Sequence, residues 1–233
     1  NTQTNKYNRY YWNIPFLTNF LWETAKIRVQ GAGLGTYSDE SDTTFILAGV
    51  VVTNPVYQRK VKRGEPFTVG WEAAGAGSNV AIDLSFDGGA TYSNIYANVP
   101  NQTGTNSFTW DVTQPGTDFA KLRFRSIADP NCVGYSPDFV LADIEVLEPN
   151  DRYDWWLMDT TNTITWNSGG AGDAVNIYYS TNSGATWTEI VMGTTNAIPI
   201  GTYDWQVTRN VSSKARIRVQ SVDDTSLFDD SME

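Results

Sequence analysis

The chain has 233 residues, 16 Lys+Arg against 26 Asp+Glu for a net charge of -10, no histidine, and one cysteine, Cys132. That length suits about two domains, and the acidic balance repels polyphosphate, so nucleic acid is excluded as a main ligand. Without histidine there is no Ser/His or Cys/His nucleophile pair and no imidazole proton shuttle, and a lone cysteine forms neither an intrachain disulfide nor a zinc cluster.

No window approaches 18 consecutive apolar residues and the leader NTQTNKYNRY lacks an apolar signal core, so no membrane insertion is expected. Aromatics reach 13% while charged residues are only 18%, the polar balance falling to Thr, Ser, Asn and Gly. That mixture favours strands and turns, and the expected class is all-β.

In chain order, the first segment to note is YYWNIPFLTNFLWETAKIRVQ from Tyr10, which aligns with FTWDVTQPGTDFAKLRFRS and YDWQVTRNVSSKARIRVQS further on. Ile27, Leu122 and Ile217 are spaced by 95, as are Trp110 and Trp205, while Trp12 precedes Trp110 by 98, a three-residue insertion in the first loop. FILAGVVVTNP (Phe45 to Pro55) matches FVLADIEVLEP (Phe139 to Pro149), and Trp71 and Trp166 head two further matching segments, again 95 apart. Self-similarity at a fixed period marks a tandem array. Within the central unit, alternation such as Val80, Ile82, Leu84 against Ala81, Asp83, Ser85 predicts strands near 50–54, 66–72, 79–85, 92–97, 107–111, 120–126 and 138–141. Seven antiparallel strands in about 95 residues give tandem immunoglobulin-like or fibronectin-like β-sandwich repeats. The expected division is a C-terminal half repeat at 1–48, a complete repeat at 49–142 and a repeat lacking its last strand at 143–233. Phe139 to Val146 runs from one unit into the next without a Gly/Ser stretch, which predicts a stiff joint.

These motifs (an ITW or FTV-x-W strand, the S-x-D-G-G-x-T-Y and S-x-N-S-G-x-T-W turns, Y-x-W-x-V and ARIRV) resemble the Ig-like tandem repeats of very large secreted bacterial surface proteins of surface-layer or adhesin type. They are also similar to the domain of Ser/Thr-rich anchored cell-wall proteins of yeasts. The resemblance spans essentially the whole chain and implies an extracellular or cell-surface structural building block: a surface layer, filament or matrix of rigid modules. A second reading is an adhesin or carbohydrate-binding region, with aromatics such as Tyr178 stacking on sugars. Partners on the first reading are copies of the chain or neighbouring modules of one longer polypeptide, with glycans as further candidates; no enzyme activity is expected.

Half a sandwich leaves Trp12, Ile27, Val29 and Phe45 without an opposing sheet, so completing strands are expected from a longer array or by strand addition from neighbours. SFDGGATY (Ser85 to Tyr92) and STNSGATW (Ser180 to Trp187) resemble the Asp-box of sialidases and other propellers, read here as hairpin turns with positive φ and an aromatic packed beneath. Lys26, Arg28, Lys121, Arg123, Arg125, Arg216 and Arg218 face outward by parity and are expected to pair across strands with neighbours such as Asp83. Asp39, Glu40 and Asp42, and Asp223, Asp224, Asp229 and Asp230, offer hard oxygen ligands that suit Ca²⁺, although no EF-hand spacing accompanies them and solvated loops are the expected reading. No other cofactor is expected. Two apolar runs, Ile14 to Trp22 (with Phe16, Leu17, Phe20, Leu21 and Trp22) and Trp155, Trp156, Leu157, Met158, are interface candidates. Asn101-Gln-Thr103 and Asn210-Val-Ser212 are N-glycosylation sequons.

Overall fold

The computed structural model describes residues 9–12, 22–31, 37–151, 154–210 and 212–232, and of residues 22 and 23 the backbone alone. Among them there is no helix and nineteen strands. The first unit contributes β1 (Trp22–Ala25), β2 (Arg28–Gln30), β3 (Ser38–Glu40) and β4 (Phe45–Leu47). The second contributes β5 (Gly49–Asn54), β6 (Lys60–Lys62), β7 (Pro66–Ala74), β8 (Asn79–Ser85), β9 (Ser93–Pro100), β10 (Gly104–Asp111), β11 (Thr117–Ser126) and β12 (Val133–Tyr135). A long strand, β13 (Phe139–Glu148), leads into β14 (Thr161–Gly169), β15 (Ala174–Ser180), β16 (Thr188–Thr195), β17 (Ile200–Gln206), β18 (Arg216–Ser221) and β19 (Phe228–Asp230).

The second unit is a sandwich. A sheet of order β10-β7-β5 faces one in which β9, β8, β11 and the first half of β13 are neighbours. The seven strands expected from alternation are all present; the two short ones that alternation could not reveal are β6, which pairs with β13 in parallel, and β12, which flanks β11. Their three residues are too few to show a period. The core between the sheets holds Trp71, Trp110, Leu122, Phe124, Phe139 and Leu141, all essentially solvent-free. Two large indoles replace the cystine that bridges the sheets in antibody domains. Burying a side chain of this size contributes about 1.5–3 kcal/mol.

In the third unit β14 pairs with the second half of β13 and β17 with β14, opposite a sheet of order β16-β15-β18-β19 around Ile164, Trp166, Ile177 and Val219. In the first unit, β1 with β4 and β2 with β3 reproduce the pairings of β11 with β13 and with β12. No facing sheet covers them among the described residues: Trp12 is 50% and Val29 69% exposed, and Ile27 is exposed as well. Trp12 lies outside any strand, unlike its counterpart Trp110 in β10.

Candidate functional site: the joint and its open counterpart

β13 belongs to two sandwiches at once. Its first residues pair with β11 (Ala120 opposite Phe139, Thr117 opposite Leu141) and with β6 (Lys60 opposite Val140), and its last residues pair with β14 from Asp143 onward. A strand hydrogen-bonded on both sides over its first half, and passing without a break into a ladder with β14 over its second, has no unpaired stretch to act as a hinge.

Side chains lock this joint. Arg63 Nη1 lies 2.9 Å from Asp143 Oδ2 and 3.7 Å from Glu145 Oε2. Burial pushes the carboxyls of Asp143 and Asp229 above the usual range, Arg63 opposing the shift at Asp143 and the Val146 amide, 2.8 Å away, opposing it at Asp229. Lys62 Nζ reaches across to Asp224 Oδ2 at 3.1 Å and Ser226 Oγ at 2.7 Å. Hydrogen bonds from Ser226 and Lys62 hold the Asp224 carboxyl at about 2. On the other face the Gly170 amide donates to Asp118 Oδ1 at 2.6 Å, and the backbones at 116–117 and 169 touch: a Cβ on Gly169 would lie 2.1 Å from the Thr117 nitrogen. The preceding joint repeats one element of this packing, since a Cβ on Gly75 would meet Ile46 and Ala48 as one on Gly170 would meet Val140 and Ala142.

The acidic candidates are therefore dispersed among structural contacts. Asp224 and Asp229 serve the joint as above, and Asp230 makes a bidentate pair with Arg218, whose guanidinium is stacked between Trp187 and Phe228 at 4.3 and 4.1 Å. Asp39 and Glu40 sit in β3, with Glu40 3.9 Å from Arg28; Asp42 is on an exposed bend, and Asp223 packs near Gly172. Among the described residues no group of three or more His, Cys, Asp or Glu side chains is placed to hold a metal.

The basic stripe pairs across strands. Asp83, almost fully buried, accepts from Arg123 Nε at 2.9 Å, from Arg125 Nε at 2.5 Å and from Asn94 at 2.8 Å. Burial raises its pKa, but the hydrogen bonds from Arg125, Asn94 and Arg123 outweigh it and leave the carboxyl at about 2. Lys121 lies 3.2 Å from Asp138.

Both Asp-box segments are turns. Ser85 Oγ accepts from the Gly89 amide at 2.8 Å and Asp87 accepts from the Thr91 amide at 2.8 Å; Ser180 with Gly184 and Asn182 with Thr186 repeat the pattern at 2.9 Å each. The residues at positive φ are Gly88 and Gly89, then Ser183 and Gly184. Tyr92 and Trp187 pack beneath and are covered in turn by Arg123 and Arg218.

Asn101 has a role that the sequon did not suggest. Its Oδ1 accepts from Trp71 Nε1 at 2.8 Å and its Nδ2 donates to the Gly77 carbonyl at 2.7 Å. Asn196 does the same for Trp166 and Gly172, both at 2.8 Å. The signal was available: Asn101 and Asn196 are themselves 95 apart. So are Ser41, Ser136 and Ser231, whose hydroxyls accept from the amides of Ile27, Leu122 and Ile217. Asn210 is exposed, with Nδ2 2.8 Å from the Tyr179 hydroxyl.

Of the interface candidates, Phe16, Leu17, Phe20 and Leu21 lie outside the described residues, and Trp22 opens β1. Trp155, Trp156, Leu157 and Met158 occupy the places of Lys60, Val61, Lys62 and Arg63 one repeat earlier. Trp156, like Val61, turns inward, 6.3 Å from Trp205; Trp155 is 85% exposed, and Leu157 and Met158 are exposed too. These residues border a groove of about 570 Å³, bounded also by Tyr179, Trp205, Ser212, Ala215 and Ile217. It lies where the second unit holds the Phe139 end of β13, and neither 155–157 nor 212–215 belongs to a strand among the described residues.

No family model and no curated protein matches the chain. Among solved structures it is similar to the fibronectin(III)-like modules of CbhA from Clostridium thermocellum, at 13% identity over 78% of this chain and 91% of that one, TM-score 0.27. It is similar also to the titin Ig tandem A164-A165, at 8% identity over 79% and 95%, TM-score 0.32. A chimeric titin Z1Z2-Z1Z2 tandem shows 10% identity over 77% and 94%, TM-score 0.24. The likeness is of fold alone.

Proposed function

We propose that the chain is a structural building block of an extracellular assembly, a surface layer, filament or matrix, in which stiff Ig-like modules hold contact surfaces at fixed separations. The observation that carries this reading is the joint. One unbroken strand is shared by two sandwiches and braced on one face by Arg63, Lys62, Asp143 and Asp224 and on the other by Asp118 and the Gly116/Gly169 contact. A binding module on a flexible tether needs no such bracing, whereas a spacer needs it at each junction. Localisation at the cell surface belongs to the same reading, as does association with copies of the chain.

Negative-stain imaging of the native material tests it. Periodic rows or filaments are the expected result. Dispersed particles showing saturable binding on a glycan array would overturn it in favour of the adhesin reading, for which the exposed ring of Trp155 beside the groove is the supporting observation.

A further inference from the structure

The second and third units present faces of opposite charge. All seven cations among residues 49–142 fall in two short stretches, Arg59 to Arg63 and Lys121 to Arg125. Val61, Leu122 and Phe124 point into the second core, so Lys60 and Lys62 of β6 and Lys121, Arg123 and Arg125 of β11 share the outer face of that sheet. Asp83 and Asp138 offset part of this charge, but Arg59 and Lys60 are exposed and form no salt bridge among the described residues. In the third unit the residues that alternate with the buried Ile144, Ile164 and Trp166 form an acidic face: Glu145 on β13, Glu148 opposite Thr165, and Asp204 opposite Thr163. Arg63 offsets Asp143 and Glu145, whereas Glu148 and Asp204 are exposed and form no salt bridge among the described residues. Neither pattern is demanded by the repeat. One unit on, Arg59, Lys60, Lys62 and Arg125 become Asp154, Trp155, Leu157 and Gln220; one unit back, Glu145, Glu148 and Asp204 become Val51, Asn54 and Thr109.

We propose that the basic outer face of the second unit docks against the acidic outer face of the third unit in a second copy of the chain. Complementary charge selects that occupant: the cations without a partner on one face meet the carboxylates without a partner on the other. The net charge of -10 opposes the approach only at long range, because at physiological salt the field decays within about 8 Å and the facing patches decide the contact. The geometry of β13 sets the form of the assembly. Leu141 enters the second core while Ala142, Ile144 and Val146 enter the third, so the two outer faces lie on opposite sides of the shared strand. A contact that uses one face of each kind leaves one of each kind free, which builds a row of molecules side by side and not a closed pair.

This inference rests on the building-block reading and adds the contact between copies. Sedimentation of the full chain tests it first without any variant: association at about 20 mM salt that disperses at about 0.5 M is the expected result. Two charge-reversed chains then locate the contact, one with Arg59→Glu and Lys60→Glu, the other with Glu148→Lys and Asp204→Lys. All four positions are exposed, so neither chain should lose its core. Each alone should associate at least about tenfold more weakly than the unmodified chain. Mixed together they should associate with each other, since the first then carries two acidic faces and the second two basic ones. An unmodified chain that does not associate at low salt, association indifferent to salt, or reversed chains that melt like the unmodified one yet fail to associate on mixing would overturn the proposal. Monomers that bind a polyuronate through Arg59 and Lys60 would overturn it in favour of an acidic glycan as the occupant. None of these outcomes touches the stiffness of the β13 joint, which distances within a single molecule measure.

Discussion

At the residue scale the fold depends on a few polar side chains placed once per repeat. Each core indole has an asparagine that both accepts its N–H and ties down a glycine carbonyl, Trp71 with Asn101 and Trp166 with Asn196. Removing such an amide leaves a buried donor unmet. Asn196→Ala should therefore destabilise the third unit by about 1–3 kcal/mol in denaturant unfolding followed by tryptophan fluorescence, and Asn101→Ala should do the same to the second. Asp83 gives a pH signature. Its folded value of about 2 lies below the ordinary 3.8, so its contribution is fully present above pH 4 and is lost as pH falls from 3.8 toward 2. Asp83→Asn should remove that part of the acid limb in thermal melts taken between pH 2 and 5. The aromatic anchors were legible in the sequence because tryptophan is rare and conspicuous at a 95-residue spacing; Asn101 was not, because it also spells a sequon.

At the scale of elements, alternation located every long strand of the second unit, although in β8 the alternate positions Ala81, Asp83 and Ser85 are buried as well, Asp83 beneath Arg123 and Arg125. It missed β6 and β12, which hold three residues each and derive their place from β13 and β11. In the third unit the matching residues, Trp155–Leu157, form no strand. The joint depends on backbone contact. Gly169→Ala places a methyl against the Thr117 nitrogen, and the expected cost is about 1–3 kcal/mol with altered relative orientation of the two units, measurable by residual dipolar couplings. Nothing in composition announces this contact, because Gly116 and Gly169 are 53 positions apart and belong to different repeats. The raised carboxyls of Asp143 and Asp229 have the opposite sign to Asp83. Their contribution is present at low pH and lost as pH rises through the raised folded values, so mild acidification toward pH 5 should not open the joint.

For the whole molecule, the 95-residue repeat and the strand shared across it turn a row of small cores into one body. Cores of this size are marginal alone, and coupling them through β13 makes the unfolding of one unit felt by the next. Arg63→Ala should weaken that coupling, seen as two separated calorimetric transitions where the unaltered chain shows closer ones. The repeat, its joint and its expected stiffness could be read from the sequence, whereas the bracing could not, since Lys62 and Asp224 are brought together only by folding. The most direct test of the central claim is a spin-label distance measurement between Thr109 in β10 and Glu189 in β16, with Cys132 replaced by alanine. A single narrow distance distribution, unchanged by moderate salt, is the predicted result; a broad distribution extending over tens of ångströms would mean that the units swing independently and would contradict the account.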